Sequence, residues 1–500
     1  MRRTKKNIKG KTVSMMVLLL ITFFFPMSFR TIPKQMKEQK LPNILWICTD
    51  QQRWNTIHSL GNPYIKTPNI DRIVKSGVSF TNAFCQVPAC TPSRASFLTG
   101  MYPSTVHDCM NGTDHWPEAA PLVTKLLKDA GYDCGLSGKL HLSTAQGHNP
   151  EQRPKDDGYR EFWFSHSPHQ GGDKNQYLVW LKKQGYTYKQ VKAMPGKRQA
   201  ALHQTTWCTN KAIDFIKEKR EGPWEFSLNI FDPHPPFDPP QSYVERFDIP
   251  NLPGPLFRKS DMVQQTKLSD IMFQSVPEDP AKFDGKLLQA KYWAQIELID
   301  ENVGRLLNTL KETGQLENTI IIYSSDHGDM LGDHGLRYKG CRFYEGLIHV
   351  PLIFSWPGHF QGNLQADALV ELIDIAPTLL EVAGVKIPER MEGKSLLPIL
   401  TGKADPHHHR EFVRSTFYNS LRNKKGAPSY ATMIRTKNSK LVVYHGHNKG
   451  ELYDLVRDPG EFTNLWNDPA YINIKLDLVI KDFNATVYAI DTGPKRIGRY

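Results

Sequence analysis

The sequence predicts an α/β fold, a large mixed but mostly parallel sheet sandwiched by helices, followed by a small C-terminal α+β domain. Three observations carry that prediction. From Leu41 onward, short apolar runs alternate with stretches of helical periodicity, as in a sheet covered by helices. Four of the apolar runs pass directly into clusters of polar, chemistry-bearing residues. After about Pro406 the texture changes to short strand-like runs and one late helical pattern. A chain of 500 residues exceeds what one small core organises, which suits a large domain at 41–405 and a smaller one at 406–500.

At the N-terminus, Arg2, Arg3, Lys5, Lys6, Lys9 and Lys11 precede the apolar run Val13–Phe25, which is short for a membrane span and is followed by Pro26 and Ser28. This is the pattern of a secretory signal peptide over residues 1–30, with an uncleaved anchor as the alternative, and it predicts a periplasmic or secreted protein. Asn43–Cys48 reads as a buried strand. Pro121–Ala130 reads as a helix with Gly131 in its capping position, and Tyr132–Ser137 as the next strand. Phe226–Phe231, Thr319–Ser324 and Pro351–Ser355 are three more strands. A long helix over about Ala290–Thr313 carries Trp293, Ile296, Ile299, Val303, Leu306, Leu307 and Leu310 on one face and stops at Gly314. In the C-terminal part, Tyr430–Arg435 and Lys440–His445 read as strands and Ile474–Asp482 as a helix.

Charge and cysteine content narrow the function. The net charge of +12 is concentrated in the leader: residues 1–40 hold ten of the 63 basic and one of the 51 acidic side chains, leaving +3 (53 against 50) for the rest. A body so nearly neutral, without zinc-finger spacing or a recognition-helix pattern, gives no case for nucleic acid as partner. No stable membrane partner is expected either. The seven cysteines form neither a disulfide scaffold nor a CxxC metal site, and their odd number leaves at least one thiol with another fate. The His407–His409 run reads as a polar interdomain loop rather than a metal site.

The chemistry-bearing residues stand at the ends of the strands. Asn43–Cys48 leads into Asp50 and Gln51, Tyr132–Ser137 into Lys139 and His141, Phe226–Phe231 into His234, and Thr319–Ser324 into Asp326 and His327. In open α/β sheets the ligand site lies beyond the carboxyl ends of the strands, so four such clusters predict one convergent site. Asp50, Gln51, Asp326 and His327 offer three oxygen ligands and an imidazole, a set suited to a hard divalent cation. Singly, each acid would read as a turn former or helix cap. Cys90 opens a further run, Cys90-Thr-Pro-Ser-Arg94-Ala-Ser-Phe-Leu98-Thr99-Gly100. Pro92 stands where a helix would begin and Arg94 one turn on, so a group at Cys90 is expected to face backbone N–H groups and a guanidinium.

That run resembles the signature of the formylglycine-dependent sulfatases of the alkaline-phosphatase superfamily, C-x-P-S-R-x-x-x-L-T-G, with every fixed position filled. The similarity extends to Gly138-Lys139-Leu-His141, to His234 in Asp-Pro-His-Pro-Pro-Phe, to Lys339 and to Glu451-Leu-Tyr-Asp-Leu, and so covers nearly the whole chain after residue 41. The resemblance implies an alkaline-phosphatase-like fold and oxidation of Cys90 to formylglycine (3-oxoalanine) by a maturation enzyme. It implies one Ca2+ held by Asp50, Gln51, Asp326, His327 and the group derived from Cys90. It assigns Arg94 to activating the hydrated aldehyde, Lys139 to bridging it to the sulfate, and His141 to hydrogen-bonding it and acting as base. His234 and Lys339 are implied near the leaving oxygen. The implied reaction is hydrolysis of sulfate esters, on a sulfated polysaccharide or oligosaccharide such as ulvan, carrageenan or a glycosaminoglycan.

Many sulfatases carry Asp at the position of Gln51 and Asn at that of His327. The combination present here is similar to bacterial members and to phosphonate monoester hydrolases, so a phosphonate monoester or phosphodiester hydrolase on the same scaffold is the alternative. A non-catalytic protein that binds sulfated glycans is a second. Substrate selection is expected in the loops 102–116, 143–175 and 235–285 and in the C-terminal domain, while Arg337, His107, Asp108 and His115 are further candidate contacts on position alone.

Overall fold

Eight strands form the central sheet in the order β4-β3-β5-β1-β6-β7-β2-β8. They are β1 Asn43–Thr49, β2 Gly77–Phe84, β3 Asp133–Gly138, β4 Tyr159–Phe164, β5 Trp224–Ile230, β6 Thr319–Ser325, β7 Leu352–Ser355 and β8 Leu364–Glu371. The computed structural model describes residues 40–117, 120–145, 153–422 and 427–490, and the predicted signal peptide lies outside them. β7 runs antiparallel to both of its neighbours, while the other pairings are parallel. The sheet is therefore mixed and mostly parallel, as the sequence predicts.

Its central strands are continuous apolar runs because both faces are covered. β1, β5 and β6 are buried at every residue. Alternate side chains go to opposite faces: Ile44, Trp46, Ile320 and Ile322 join one core, and Leu45, Ile47, Ile321 and Tyr323 the other. The helix Cys90–Thr99 contributes Ala95, Phe97 and Leu98 to the first. The long helix Gly285–Glu312 contributes Ile299, Val303, Leu306, Leu307 and Leu310 to the second.

The predicted elements recur with shifted ends. The long helix begins five residues before Ala290, because the side chain of Asp284 caps it by accepting from the Leu287 N–H at 3.1 Å. The helix predicted at Pro121–Ala130 spans Val123–Asp129, and Gly131 beyond it takes a positive φ of 94°. Three strands of the central sheet, and two of the later sheet (Val413–Tyr418 and Lys449–Asp454), were not legible from apolar runs. β4 and β8 are the two edges of the sheet and are partly exposed, and β2 has a register shift between Phe80 and Asn82.

A second sheet is an antiparallel meander of β9 Val413–Tyr418, β10 Tyr430–Arg435, β11 Ser439–Tyr444 and β12 Lys449–Asp454. The last helix, Ile472–Tyr488, packs on β10 and β11 and is longer at both ends than the predicted Ile474–Asp482. Buried charge joins this sheet to the rest: Glu345 pairs with Arg435 at 2.9 Å and Lys440 at 2.7 Å, and Glu461 meets Lys440 at 2.7 Å. All seven cysteines are free thiols.

Candidate active site

Strand order makes the site. β3, β5, β1 and β6 are consecutive in the sheet and parallel, so the four polar clusters at their carboxyl ends emerge side by side at one edge. β2 points the same way, and the loop after it delivers Cys90 to that edge.

Cys90 is the first residue of its helix, with Ala89 in the capping position, so the helix starts two residues ahead of Pro92. The Thr91 N–H in the first turn donates to Asn111 Oδ1 at 2.9 Å. The Cys90 Sγ lies 2.8 Å from Lys339 Nζ, 3.2 Å from His327 Nε2 and 3.6 Å from Asp50 Oδ1. Burial opposes ionisation of this thiol, but Lys139, Lys339 and His327 outweigh it and hold its pKa well below the ordinary value.

Arg94 does not point its donors at Cys90 as the sequence leads one to expect. Its Nε donates to Asp326 Oδ2 at 2.9 Å, its Nη2 to Asp50 Oδ2 at 3.3 Å and its Nη1 to the Lys139 carbonyl at 2.8 Å. The rigid fork of donors is used to lock three strand ends together. Arg94 thus fixes the two carboxylates beside Cys90.

Asp50 also pairs with Lys139 Nζ. Burial and the Cys90 thiolate disfavour its charge, yet Lys139, His234 and Arg94 bring its pKa down to about 2. Asp326 Oδ1 accepts from the backbone N–H groups of Gln51 (2.9 Å) and His327 (3.0 Å). Gln51 adopts φ 70°, held by Tyr292, whose hydroxyl donates to the Gln51 carbonyl at 2.6 Å, and by Asp329, which accepts from its side-chain amide. The Gln51 Oε1 faces the site and accepts from Lys339 Nζ at 2.8 Å. His327 Nδ1 lies 2.8 Å from the Gly328 carbonyl and donates to it, which turns Nε2 toward Cys90.

His141, with φ 57°, is buried, and burial followed by the charge of Lys139 lowers its pKa to about 4, so the ring is neutral at neutral pH. It packs edge-on against His166 with centroids 4.3 Å apart. His234 Nδ1 contacts the Pro235 carbonyl at 2.6 Å, and its Nε2 lies 3.3 Å from Lys339 Nζ. The structure therefore brings together all ten predicted site residues.

A cavity of about 770 Å³ opens above them, with Cys90, Lys139, His141, His234 and Lys339 at its inner end. Asn111, His166, His169, Gln170 and Gln274 form its walls, one or more from each of the three loops expected to select substrate. The sequence singled out none of these five as a substrate contact, Asn111 being legible only as the first residue of the glycosylation sequon Asn111-Gly-Thr, since isolated His, Asn and Gln in loops carry no local signal for binding. Among the described residues the cavity lining does not include Arg337, His107, Asp108 or His115; Arg337 pairs with Glu278 at 3.1 Å and His115 with Asp114 at 2.6 Å. The histidine run is likewise elsewhere, with His407 on Asp367 and His409 near Asp374.

Ligand atoms of Asp50, Cys90, Asp326 and His327 all lie within 4.8 Å of one another, and all four residues are buried. Two carboxylates, an imidazole nitrogen oriented by a backbone carbonyl, and the adjacent Gln51 oxygen fit an oxygen-preferring divalent cation.

A family model described as Sulfatase matches residues 42–385, and one described as N-sulphoglucosamine sulphohydrolase, C-terminal, matches 332–485. An arylsulfatase of Clostridium perfringens is 31% identical over 490 residues, covering 92% of this chain and 98% of that protein. An N-acetylglucosamine-6-O-sulfatase of Bacteroides thetaiotaomicron is 27% identical, covering 89% of this chain and 86% of its own length. Among solved structures, a phosphonate monoester hydrolase of Agrobacterium radiobacter superposes with a TM-score of 0.77 at 25% identity, over 90% of this chain and 96% of that one.

Proposed function

The chain belongs to the sulfatase family and is a sulfuric ester hydrolase, and from that premise we propose that it removes sulfate from a sugar of a sulfated polysaccharide or oligosaccharide, with Cys90 in its formylglycine form. The observation that carries this reading is the setting of Cys90. Its Sγ stands 2.8 Å from Lys339 Nζ and 3.2 Å from His327 Nε2, at the inner end of a cavity of about 770 Å³. That volume admits a sugar ring, and the cavity walls carry the amides and imidazoles that hydrogen-bond hydroxyl groups. The similarity to an N-acetylglucosamine-6-O-sulfatase supports a sugar as the alcohol part of the ester.

Asp50, Gln51, Asp326 and His327 would hold the cation, for which we propose Ca2+. Hydrated formylglycine would supply an oxygen nucleophile, and a cation bound there would neutralise charge on the sulfate oxygens. The remaining work belongs to side chains of this chain. Lys139 and Lys339 place two ammonium groups at the inner end of the cavity, where they hold the anionic ester and oppose charge developing on it. The His234–Lys339 pair, 3.3 Å apart, holds the proton taken up by the leaving alcohol. His141, neutral in its buried position, accepts a proton on the opposite side of the reaction. Arg94 keeps Asp50 and Asp326 in register and leaves them charged.

Export by the basic and apolar N-terminal leader is part of the proposal, since polymeric sulfated glycans lie outside the cell. A formylglycine-generating enzyme is the required maturation partner. Phosphonate ester hydrolysis is the second reading, favoured by the superposition on a phosphonate monoester hydrolase.

The test is to produce the chain with such a maturation enzyme, weigh the Cys90 peptide by mass spectrometry, and compare rates on 4-nitrophenyl sulfate, a phosphonate monoester and a panel of sulfated oligosaccharides. A formylglycine mass together with faster turnover of sulfates is expected. An unmodified thiol in a fully active enzyme, or a preference for the phosphonate, overturns the reading.

A further inference from the structure

Among the described residues, the cavity above Cys90 is lined by charge only at its inner end. There Lys139 Nζ pairs with Asp50, and Lys339 Nζ donates to Gln51 Oε1 and lies beside Cys90 Sγ, both at 2.8 Å. The walls are neutral and held in place. Asn111 Oδ1 accepts from the Thr91 N–H at 2.9 Å, and the Asn111 N–H donates to the Ser420 carbonyl at 2.8 Å. His166 is fixed from both sides: the Ser165 carbonyl accepts from Gln204 Nε2 at 3.1 Å and the Ser167 carbonyl from Asn175 Nδ2 at 2.7 Å. Burial, then His141 and Lys139 beside it, holds the His166 pKa well below its ordinary value, and burial lowers that of His169. Both rings are therefore uncharged at neutral pH. Lys192 and Asp238, two charges that act on His169, pair with each other at 2.7 Å. Phe231, with its ring centroid 4.6 Å from that of His234 and 6.4 Å from that of His169, adds an aromatic side.

Given that the ester is a sugar sulfate, as proposed above, we infer that the sugar entering this cavity is uncharged apart from the sulfate being removed. A carboxylate or a second sulfate on the same ring is rejected. Hydroxyl and acetamide groups exchange hydrogen bonds with water for hydrogen bonds with Asn111, Gln170, Gln274 and the two imidazoles, at little net cost. An anionic group taken from water to the same walls meets no cation that offsets its lost hydration. The aromatic side acts in the same direction, since the negative face of a ring suits the C–H groups of a sugar and opposes an anion. The two ammonium groups do not serve a second anion, because both stand at the inner end and are taken by the reacting sulfate.

Initial rates of the mature full chain on matched sugars test this. Each positional monosulfate of galactose and N-acetylglucosamine that is turned over is compared with the same ring carrying a second sulfate, or a sulfamate in place of the acetamide. Release of the shared sulfate is followed in both. The doubly charged partner is expected to show a kcat/KM at least about 100-fold lower. Gln274→Arg brings a cation to the wall and is expected to narrow that ratio by at least about tenfold. If this variant does not fold, Gln170→Lys is read in the same way. Partners within about threefold of each other overturn the inference, as does a ratio that neither cation-bearing variant moves. A chain that turns over 4-nitrophenyl sulfate and none of the monosulfated sugars overturns the sugar reading and this inference with it. Failure on the matched pairs alone overturns only the neutral sugar.

Discussion

Arg94 and Asp326, 232 residues apart in the chain, form a 2.9 Å ion pair in which neither side chain is exposed to solvent. The same guanidinium reaches Asp50 and the Lys139 carbonyl, so one side chain ties together the ends of β1, β3 and β6.

Removing Arg94 leaves two buried carboxylates short of their partner. Arg94→Ala is expected to cost at least about 3 kcal/mol of stability and to abolish turnover of 4-nitrophenyl sulfate. Arg94→Lys is expected to recover little of either, because a single ammonium cannot reproduce the fork. Denaturant titration measures the first effect, and a loss under about 1 kcal/mol would falsify the clamp.

The donor set around Asp326 and His327 predicts a chelator effect. Removing the proposed Ca2+ with EGTA is expected to lower the Tm and to reduce turnover at least about tenfold, both restored by added Ca2+. A site saturated at a hundred times its Kd contributes about 2.7 kcal/mol. Thermal scans with and without chelator, beside the metal content by mass spectrometry, decide the matter. Asp326→Asn should respond to neither treatment.

His234 and Lys339 are assigned to the proton of the leaving alcohol, so the cost of losing His234 depends on the substrate. His234→Ala is expected to slow a sugar sulfate by about 10² to 10⁴ and 4-nitrophenyl sulfate far less, because nitrophenolate leaves without a proton. Equal losses on both substrates would place His234 in binding instead.

Glu225 gives a pH dependence remote from the reaction. It is fully buried on β5, its Oε1 accepts from Ser227 at 2.7 Å, and its Oε2 has no hydrogen-bond partner among the described residues. Burial raises its pKa from 4.5 to about 8. Between those values the folded chain keeps a proton that the unfolded chain has released. Its stabilising contribution is therefore complete below about pH 4.5 and is lost as the pH rises through about 8. Wild type should lose several degrees more Tm than Glu225→Gln between pH 5 and 8.5, about 2 to 5 kcal/mol in stability. Parallel curves for the two proteins would show that Glu225 does not titrate in this way.

The legible part of the site was local. Asp50, Gln51, Lys139, His141, His234, Asp326 and His327 each come after a buried run closely enough to be read as a strand end. Cys90 and Arg94 lie in one contiguous signature, and Lys339 was reached through resemblance because no strand precedes it. The supports were not legible. Tyr292 and Asp329 hold Gln51 from 241 and 278 residues away, and an aromatic on a long helix or an acid in a loop has many simpler explanations. The walls of the cavity were foreseen only as loop ranges, since His166 and Gln274 gain meaning from what they face.

The sequence by itself determined five of the eight strands of the central sheet, the residue types placed at the ends of four of them, and the signature around Cys90, because periodicity, turn chemistry and contiguous motifs act over a few residues. Only the tertiary structure decided that β3, β5, β1 and β6 lie side by side and that the donors of Arg94 go to Asp50, Asp326 and the Lys139 carbonyl. Strand order and burial come from long-range pairing, in which a residue's partner lies hundreds of positions away and is set by packing of the whole sheet.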